Sequence, residues 1–261
     1  MSLGKLAGWE RAATFLYWRC QAVSAILMLM TQEPRCLILE TSGRIGQVAL
    51  TEGGRLRGVH RLDEARRHAR DLVPAVRDLL AEAGWTARTL NAVIVGRGPG
   101  SYTGLRVGIM SAKTFAYVTR CPLLAIDTFA AIAEQAPVAA SRIDVIADAQ
   151  QEKVYAQSFV RSEPDHWAAA SALRILKLAD WLAERLADAW VTGPGLRAYG
   201  SRLPASASLA PAESWDPRPE SLLRVGLARY RAGERDDLWT LEPLYLRPSS
   251  AEEKWQQRAC P

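Results

Sequence analysis

VIVGRGPGSYTGLRVG, residues 93–108, sets Gly96, Gly98, Gly100, Gly104 and Gly108 behind a short apolar run and ahead of a helical pattern. Glycine costs about 0.5–1 kcal/mol against alanine inside a regular element, so this density marks backbone with a special task. Two tasks fit. The loop brings its N–H groups up to an anion, or it only makes a tight strand-to-helix turn. A helix N-terminus offers unpaired N–H groups and about half a positive charge, which suits the first. Ser101 and Thr103 add hydroxyls, and Arg97 and Arg106 add charge. The candidate anion site is therefore Gly96, Arg97, Gly98, Gly100, Ser101, Thr103, Gly104 and Arg106. It matches neither named phosphate loop: Lys113 is out of position for a P-loop, and the glycines do not continue as GxGxxG.

Outward from this loop, strands and helices alternate. CLILETS (36–42) reads as a buried strand, with GQVALT (46–51) and RLRGVHRL (55–62) as its hairpin continuation around Gly53 and Gly54. Residues 64–84 place Leu72, Val76, Leu79, Leu80 and Ala83 at helical spacing, with Gly84 as the stop. Pro74 should kink that helix or mark where its better half begins. LNAVIVG (90–96) is another buried strand, and the glycine loop opens a helix near 104–119. CPLLAID (121–127) reads as a strand and TFAAIAEQA (128–136) as a helix with Thr128 as N-cap. This is an α/β arrangement.

The second half echoes the first. CLILETSGRIGQVAL and IDVIADAQQEKVYAQSF both run apolar strand, acid, polar turn, second strand, and the acids are Glu40 and Asp148. VIVGRGPG is echoed by WVTGPG at 190–195. Two echoes in one order predict a duplicated unit. An amphipathic helix near 219–232 and a strand or extended segment at 241–247 follow, then a mobile tail from Ser249.

The bulk composition is globular, with 261 residues that are 49% hydrophobic and 23% charged. The net charge of +5 is spread along the chain, as a solvated surface would have it rather than a nucleic-acid footprint. Trp85, Trp181, Trp190 and Trp239 read as core or rim aromatics, not base-stacking platforms. Four scattered cysteines suit reduced thiols in a cytoplasmic protein, and three histidines show no metal-ligand spacing. No metal and no cofactor are expected. AVSAILMLM (22–30) follows Arg11 and Arg19 like a signal peptide, yet TQEPRC stands where the cleavage site should be. The run is also too short to cross a membrane. Our reading is that Met28 or Met30 is the start and residues 1–29 are an upstream extension.

GRGPGSYTGLRVG, with AKTFAY behind it, resembles the signature of the bacterial TsaB family, partners in making threonylcarbamoyladenosine in tRNA. LILETS resembles that family's opening strand, and HARDLVPAVRDLLAEAG its first long helix. DAQQEKVYAQSF resembles the start of its second lobe and EPLYLRPSSAEEKW its closing segment. The resemblance implies an actin-like ATPase (RNase H-like) fold of two related lobes, each a mixed sheet with flanking helices. The implied boundaries are an extension over 1–34 (disordered or untranslated), a first lobe over 35–137, a second, degenerate lobe over 138–248 and a mobile tail over 249–261.

By the same resemblance the chain is a non-catalytic subunit, inactive alone. It pairs with TsaD, which carries the metal-binding histidines and the catalytic site, and a small ATPase, TsaE, joins them. A separate enzyme makes the threonylcarbamoyl-adenylate, and tRNA is met through the complex. Glu40 and Asp148 become vestigial nucleotide-site acids. Glu40 stands where aspartate is usual, and Gln150 replaces the usual basic neighbour of Asp148. The implied partner face is a helical bundle using His68, Leu72, Val76, Leu79, Val107 and Met110, with Val76 as an exposed member of its row. Two other readings differ in class. An independent nucleotide-binding phosphotransferase would need Glu40 and Asp148 to hold a metal. A hydrolase or peptidase would use Ser101, which lacks a GxSxG elbow and a signalled histidine base.

Overall fold

The computed structural model describes residues 34–62, 68–163 and 166–246. The chain divides into two units, Met1–Pro34 and Arg35–Pro261, and every element named below belongs to the second. The expected extension over residues 1–34 therefore lies outside the described residues except for Pro34, and so does the expected mobile tail over 249–261.

The opening strand, β1 (Arg35–Glu40), is buried almost throughout. It pairs antiparallel with β2 (Gln47–Glu52), which pairs antiparallel with β3 (Arg55–Arg61). Gly53 and Gly54 make the turn between them at φ of 61° and 84°. Helix α1 (His68–Glu82) then crosses to β4 (Ala92–Gly98), which lies parallel to β1. Pro74 does not end α1. It sits on the exposed side, where the unpaired Arg70 carbonyl can meet water, so the helix runs through it. Trp85 N–H reaches back to Leu80 O at 2.8 Å, and Gly84 at φ 67° closes the helix as expected.

The glycine loop leads into α2 (Tyr102–Thr119), two residues earlier than the pattern implied, and β5 (Leu123–Asp127) completes the sheet β3-β2-β1-β4-β5. Leu37 and Leu39 of β1 join Val93 and Val95 of β4 beneath α1 and α2, which contribute Leu72, Val76, Leu79, Ile109 and Ala112. The other face carries Cys36, Ile38, Ala92 and Ile94, the alternate residues of the same strands.

Helix α3 (Thr128–Ala133) follows β5 directly and packs Phe129 and Ile132 on a second sheet. That sheet is built on β6 (Arg142–Asp148), antiparallel to the long β7 (Lys153–Glu163). β8 (His166–Ala169) and β9 (Arg174–Lys177) pair with opposite ends of β7. After α4 (Leu178–Glu184), β10 (Trp190–Thr192) lies parallel to β6, and the short α5 (Leu196–Tyr199) follows it. The order β7-β6-β10 thus repeats β2-β1-β4 in both direction and connection. The sequence echo is a structural one: two related lobes of mixed sheet with flanking helices.

One local expectation needs correction. Thr128 is the first residue of α3 and not its cap: its hydroxyl donates to Ser42 Oγ at 3.2 Å and accepts from Gly98 N at 3.2 Å. Residues 241–246, expected as a strand or an extended segment, form no strand and cross the edge of the first lobe instead of entering its sheet. Helix α6 (Pro219–Arg231), close to its expected span, returns to the first sheet. Its Leu222, Leu223 and Leu227 cover Cys36, Ile38, Ile94 and Ile126, and Gly226 lets the helix lie against Ile94. The chain therefore finishes the first lobe with a helix that sequence order had grouped with the second.

Candidate functional site

The glycine loop wraps the C-terminal end of β1, and its glycines are explained there. A methyl group on Gly96 would lie 2.1 Å from Glu40 Oε2, and one on Gly100 2.4 Å from Ser42 O. On Gly104 it would lie 2.0 Å from Thr41 O, and on Gly108 2.1 Å from Thr41 Oγ1. Ser101 N–H donates to Ser42 O at 2.8 Å, and Thr41 Oγ1 donates to Gly104 O at 2.8 Å. The second lobe repeats the device, since a methyl on Gly193 would lie 2.2 Å from Ile146 O. In both lobes the turn after the third strand of the repeat presses on the end of the first.

The polar groups of the loop are held by the chain itself. Ser101 caps α2, its Oγ accepting from Gly104 N at 3.3 Å. Arg97 pairs with Asp127 at 2.5 Å. Arg106 lies over the Tyr102 ring at 4.2 Å and donates to Tyr245 Oη at 3.0 Å, while Tyr102 and Tyr245 stack at 4.7 Å. Thr103 is exposed in the first turn of α2.

Glu40 is fully buried. Its Oε1 accepts from Ser42 N at 2.6 Å and from the Ser42 hydroxyl, and its Oε2 has no hydrogen-bond partner. Burial pushes the carboxyl up to about 7, against the opposing pull of the Ser42 bonds. Asp148 is exposed and differently engaged: its Oδ1 accepts from Gln150 N at 2.7 Å and from Tyr199 Oη at 2.8 Å. The turn beyond it holds Gln150, Gln151 and Glu152 all at positive φ, between 54° and 61°. The two acids share no hydrogen-bond partner.

The state of Glu40 has a measurable signature. Its neutral form is the one the fold favours, so its contribution is complete below pH 4.5 and is lost as pH rises through about 7. Across that window the loss amounts to about 3 kcal/mol. Glu40→Gln should therefore gain on the wild type in thermal melts between pH 4.5 and 7.5. A constant gap between the two curves would place the titration elsewhere.

The six residues of the implied partner face do not lie together on the surface. Leu72, Val76 and Leu79 point into the first sheet, and Val107 is half-buried against the same core. Val76, expected to be exposed, is 1% exposed. The spacing 72, 76, 79, 80 is the stripe α1 needs for its own sheet, and no second stripe remains. Met110 is exposed at 61%, and His68 is the first residue of α1. Among the described residues, the large exposed apolar side chains on these helices are Val73 of α1 and Met110, Tyr117 and Val118 of α2. Among the described residues no group of three His, Cys, Asp or Glu side chains could hold a metal, and no helix is long and apolar enough to cross a membrane.

Comparison with known proteins agrees with this architecture. The family model for TsaD, tRNA N6-adenosine threonylcarbamoyltransferase, matches residues 45–191. The tRNA threonylcarbamoyladenosine biosynthesis protein TsaB of Escherichia coli is 29% identical over 226 residues, covering 84% of this chain and 97% of that protein. Its Bacillus subtilis namesake is 28% identical over 195 residues, with 72% and 83% covered. A crystal structure from Pseudomonas aeruginosa, described as similar to peptidase YeaZ, superimposes with a TM-score of 0.71 at 30% identity and covers 82% of this chain and all of that one. With its two mixed-sheet lobes, its glycine turns and relatives that align along nearly their whole length, the chain belongs to the TsaB family, within the wider group that the threonylcarbamoyltransferase model describes.

Proposed function

We propose that this chain acts in tRNA threonylcarbamoyladenosine biosynthesis as a non-catalytic subunit that pairs with TsaD, with the ATPase TsaE joining the pair. The names of its relatives support the pathway. The division of labour rests on one observation: Glu40, at the position where the fold would meet a nucleotide's metal and phosphates, is turned onto Ser42 and Gly96 with no exposed surface. A carboxyl packed in this way has no route to a ligand, and this also disfavours the independent phosphotransferase. The glycine loop then serves as a scaffold that fixes the start of α2. The exposed residues Val73, Met110, Tyr117 and Val118 form the contact with TsaD. A subunit that meets tRNA through this complex works in the cytoplasm.

Carbamoyl transfer to tRNA, assayed with each subunit omitted in turn, tests the reading. The purified chain alone should give no product, and adding it to TsaD and TsaE from the same organism should raise product formation by at least an order of magnitude. Transfer by the chain without TsaD would overturn the proposal.

A further inference from the structure

The segment that follows α6 is a strap laid along α2. It begins on the open edge of β5, where Asp236 N–H donates to Leu123 O at 2.8 Å and Asp236 Oδ2 accepts from Ala125 N at 2.7 Å. Asp237 Oδ1 then accepts from Trp239 N and Thr240 N, both at 2.8 Å. These N–H groups, Thr240's first, hold the Asp237 carboxyl below its usual range, with a smaller contribution from Lys113 of α2. Leu241 is buried in the core under α1 and α2, and Leu238 is packed against it. Farther on, Leu244 N–H donates to Arg97 O at 2.9 Å, and Tyr245 stacks on Tyr102. The strap is thus held at both ends of α2 and in the middle.

Trp239 turns the other way. It is 78% exposed, with its ring edge-on to Tyr117 at a centroid distance of 6.0 Å. Among the described residues, six of the ten exposed large apolar side chains, namely Val73, Met110, Tyr117, Val118, Trp239 and Tyr245, lie on α1, α2 and this strap. A large aromatic on backbone that is already fixed loses little freedom when covered, and such residues dominate interface energetics.

We infer that the strap belongs to the partner-binding face and that Trp239 is its aromatic anchor, covered by TsaD together with Tyr117 and Met110. This rests on the pairing proposed above. The occupant follows from shared fold: the threonylcarbamoyltransferase model matches residues 45–191 of this chain, a span that includes α1 and α2. Two chains of one fold can set corresponding helices face to face in a pseudo-twofold pairing, apolar ridge on apolar ridge. In such a pairing the strap beside α2 borders the ridge and widens it.

Calorimetric titration of the full chain with TsaD from the same organism tests this, using wild type, Trp239→Ala, Trp239→Phe and Met110→Glu, each with a thermal melt. Trp239→Ala should weaken binding by about 30-fold or more, and Trp239→Phe should recover most of that. Hydrogen exchange on the wild-type complex, which needs no variant to fold, should slow across residues 236–245. If Trp239→Ala binds within threefold of wild type while Met110→Glu does not bind, the anchor is overturned and the helix face stands. Unchanged exchange in the strap likewise overturns the anchor alone. A wild-type chain that does not bind TsaD overturns the pairing and the anchor with it.

Discussion

Val76→Glu should unfold this chain, and Met110→Glu should leave it folded and unable to bind TsaD. Val76 is packed among Leu72, Leu79 and Val95 in the core beneath α1 and α2. Replacing it removes about 1.5–3 kcal/mol of apolar burial. It also strands a carboxyl with no partner, which brings the total to about 5 kcal/mol or more. A natural domain has about 5–15 kcal/mol in all, so little folded protein should remain. Met110 is 61% exposed on α2, so a glutamate there stays in water in the free chain and is desolvated only under a partner. Circular dichroism melts beside size-exclusion with TsaD separate the two effects. A folded Val76→Glu chain would contradict the packing, and a Met110→Glu chain that co-elutes with TsaD at wild-type affinity would contradict the proposed face.

The second large effect runs against helix propensity. Alanine is favoured over glycine within a helix by about 1 kcal/mol, and Gly104 lies in the first turn of α2. Yet the methyl of Gly104→Ala would meet Thr41 O at 2.0 Å and the Thr41 carbonyl carbon at 3.2 Å, both backbone atoms at the end of β1. The helix start must move away and break the Thr41 Oγ1 bond to Gly104 O. We expect a net loss of about 3 kcal/mol, or roughly 6–12 °C in melting temperature for a chain of this size. Gly43→Ala is the control: its nearest atom is Ile45 O at 3.9 Å, so its melting temperature should change little. Equal melts for the two variants would show that α2 is not clamped on β1.

The sequence was most informative where chemistry is local. Short continuous apolar runs marked β1, β2 and β4, the glycine pair at 53–54 marked the hairpin, and the paired echoes anticipated the repeated strand order. The glycine cluster announced a close approach, but composition could not say to what. The answer, residues Glu40 to Ser42, lies more than 50 positions upstream. The partner face is hidden in the sequence for a related reason. An apolar row at 72, 76 and 79 reads alike whether it meets its own sheet or a stranger, and only the packing of β2 and β4 decides. Trp239 and the strap carry no periodicity at all, since their hydrogen bonds go to the edge of β5 and to Arg97. The burial of Glu40 depends on the loop closing over it, which a single position cannot signal.

The return of α6 to the first sheet has a consequence for synthesis. The strands of that sheet have all been made once Asp127 emerges, yet the helix that covers Cys36, Ile38 and Ile94 ends at Arg231. At about 5–20 residues per second, roughly 5–20 s of translation separate the two. Through that interval the nascent first sheet carries an uncovered apolar face, and the second lobe is made in the meantime. A ribosome-bound fragment ending before Pro219 is therefore a natural chaperone client, and vectorial folding of this chain closes its first lobe last.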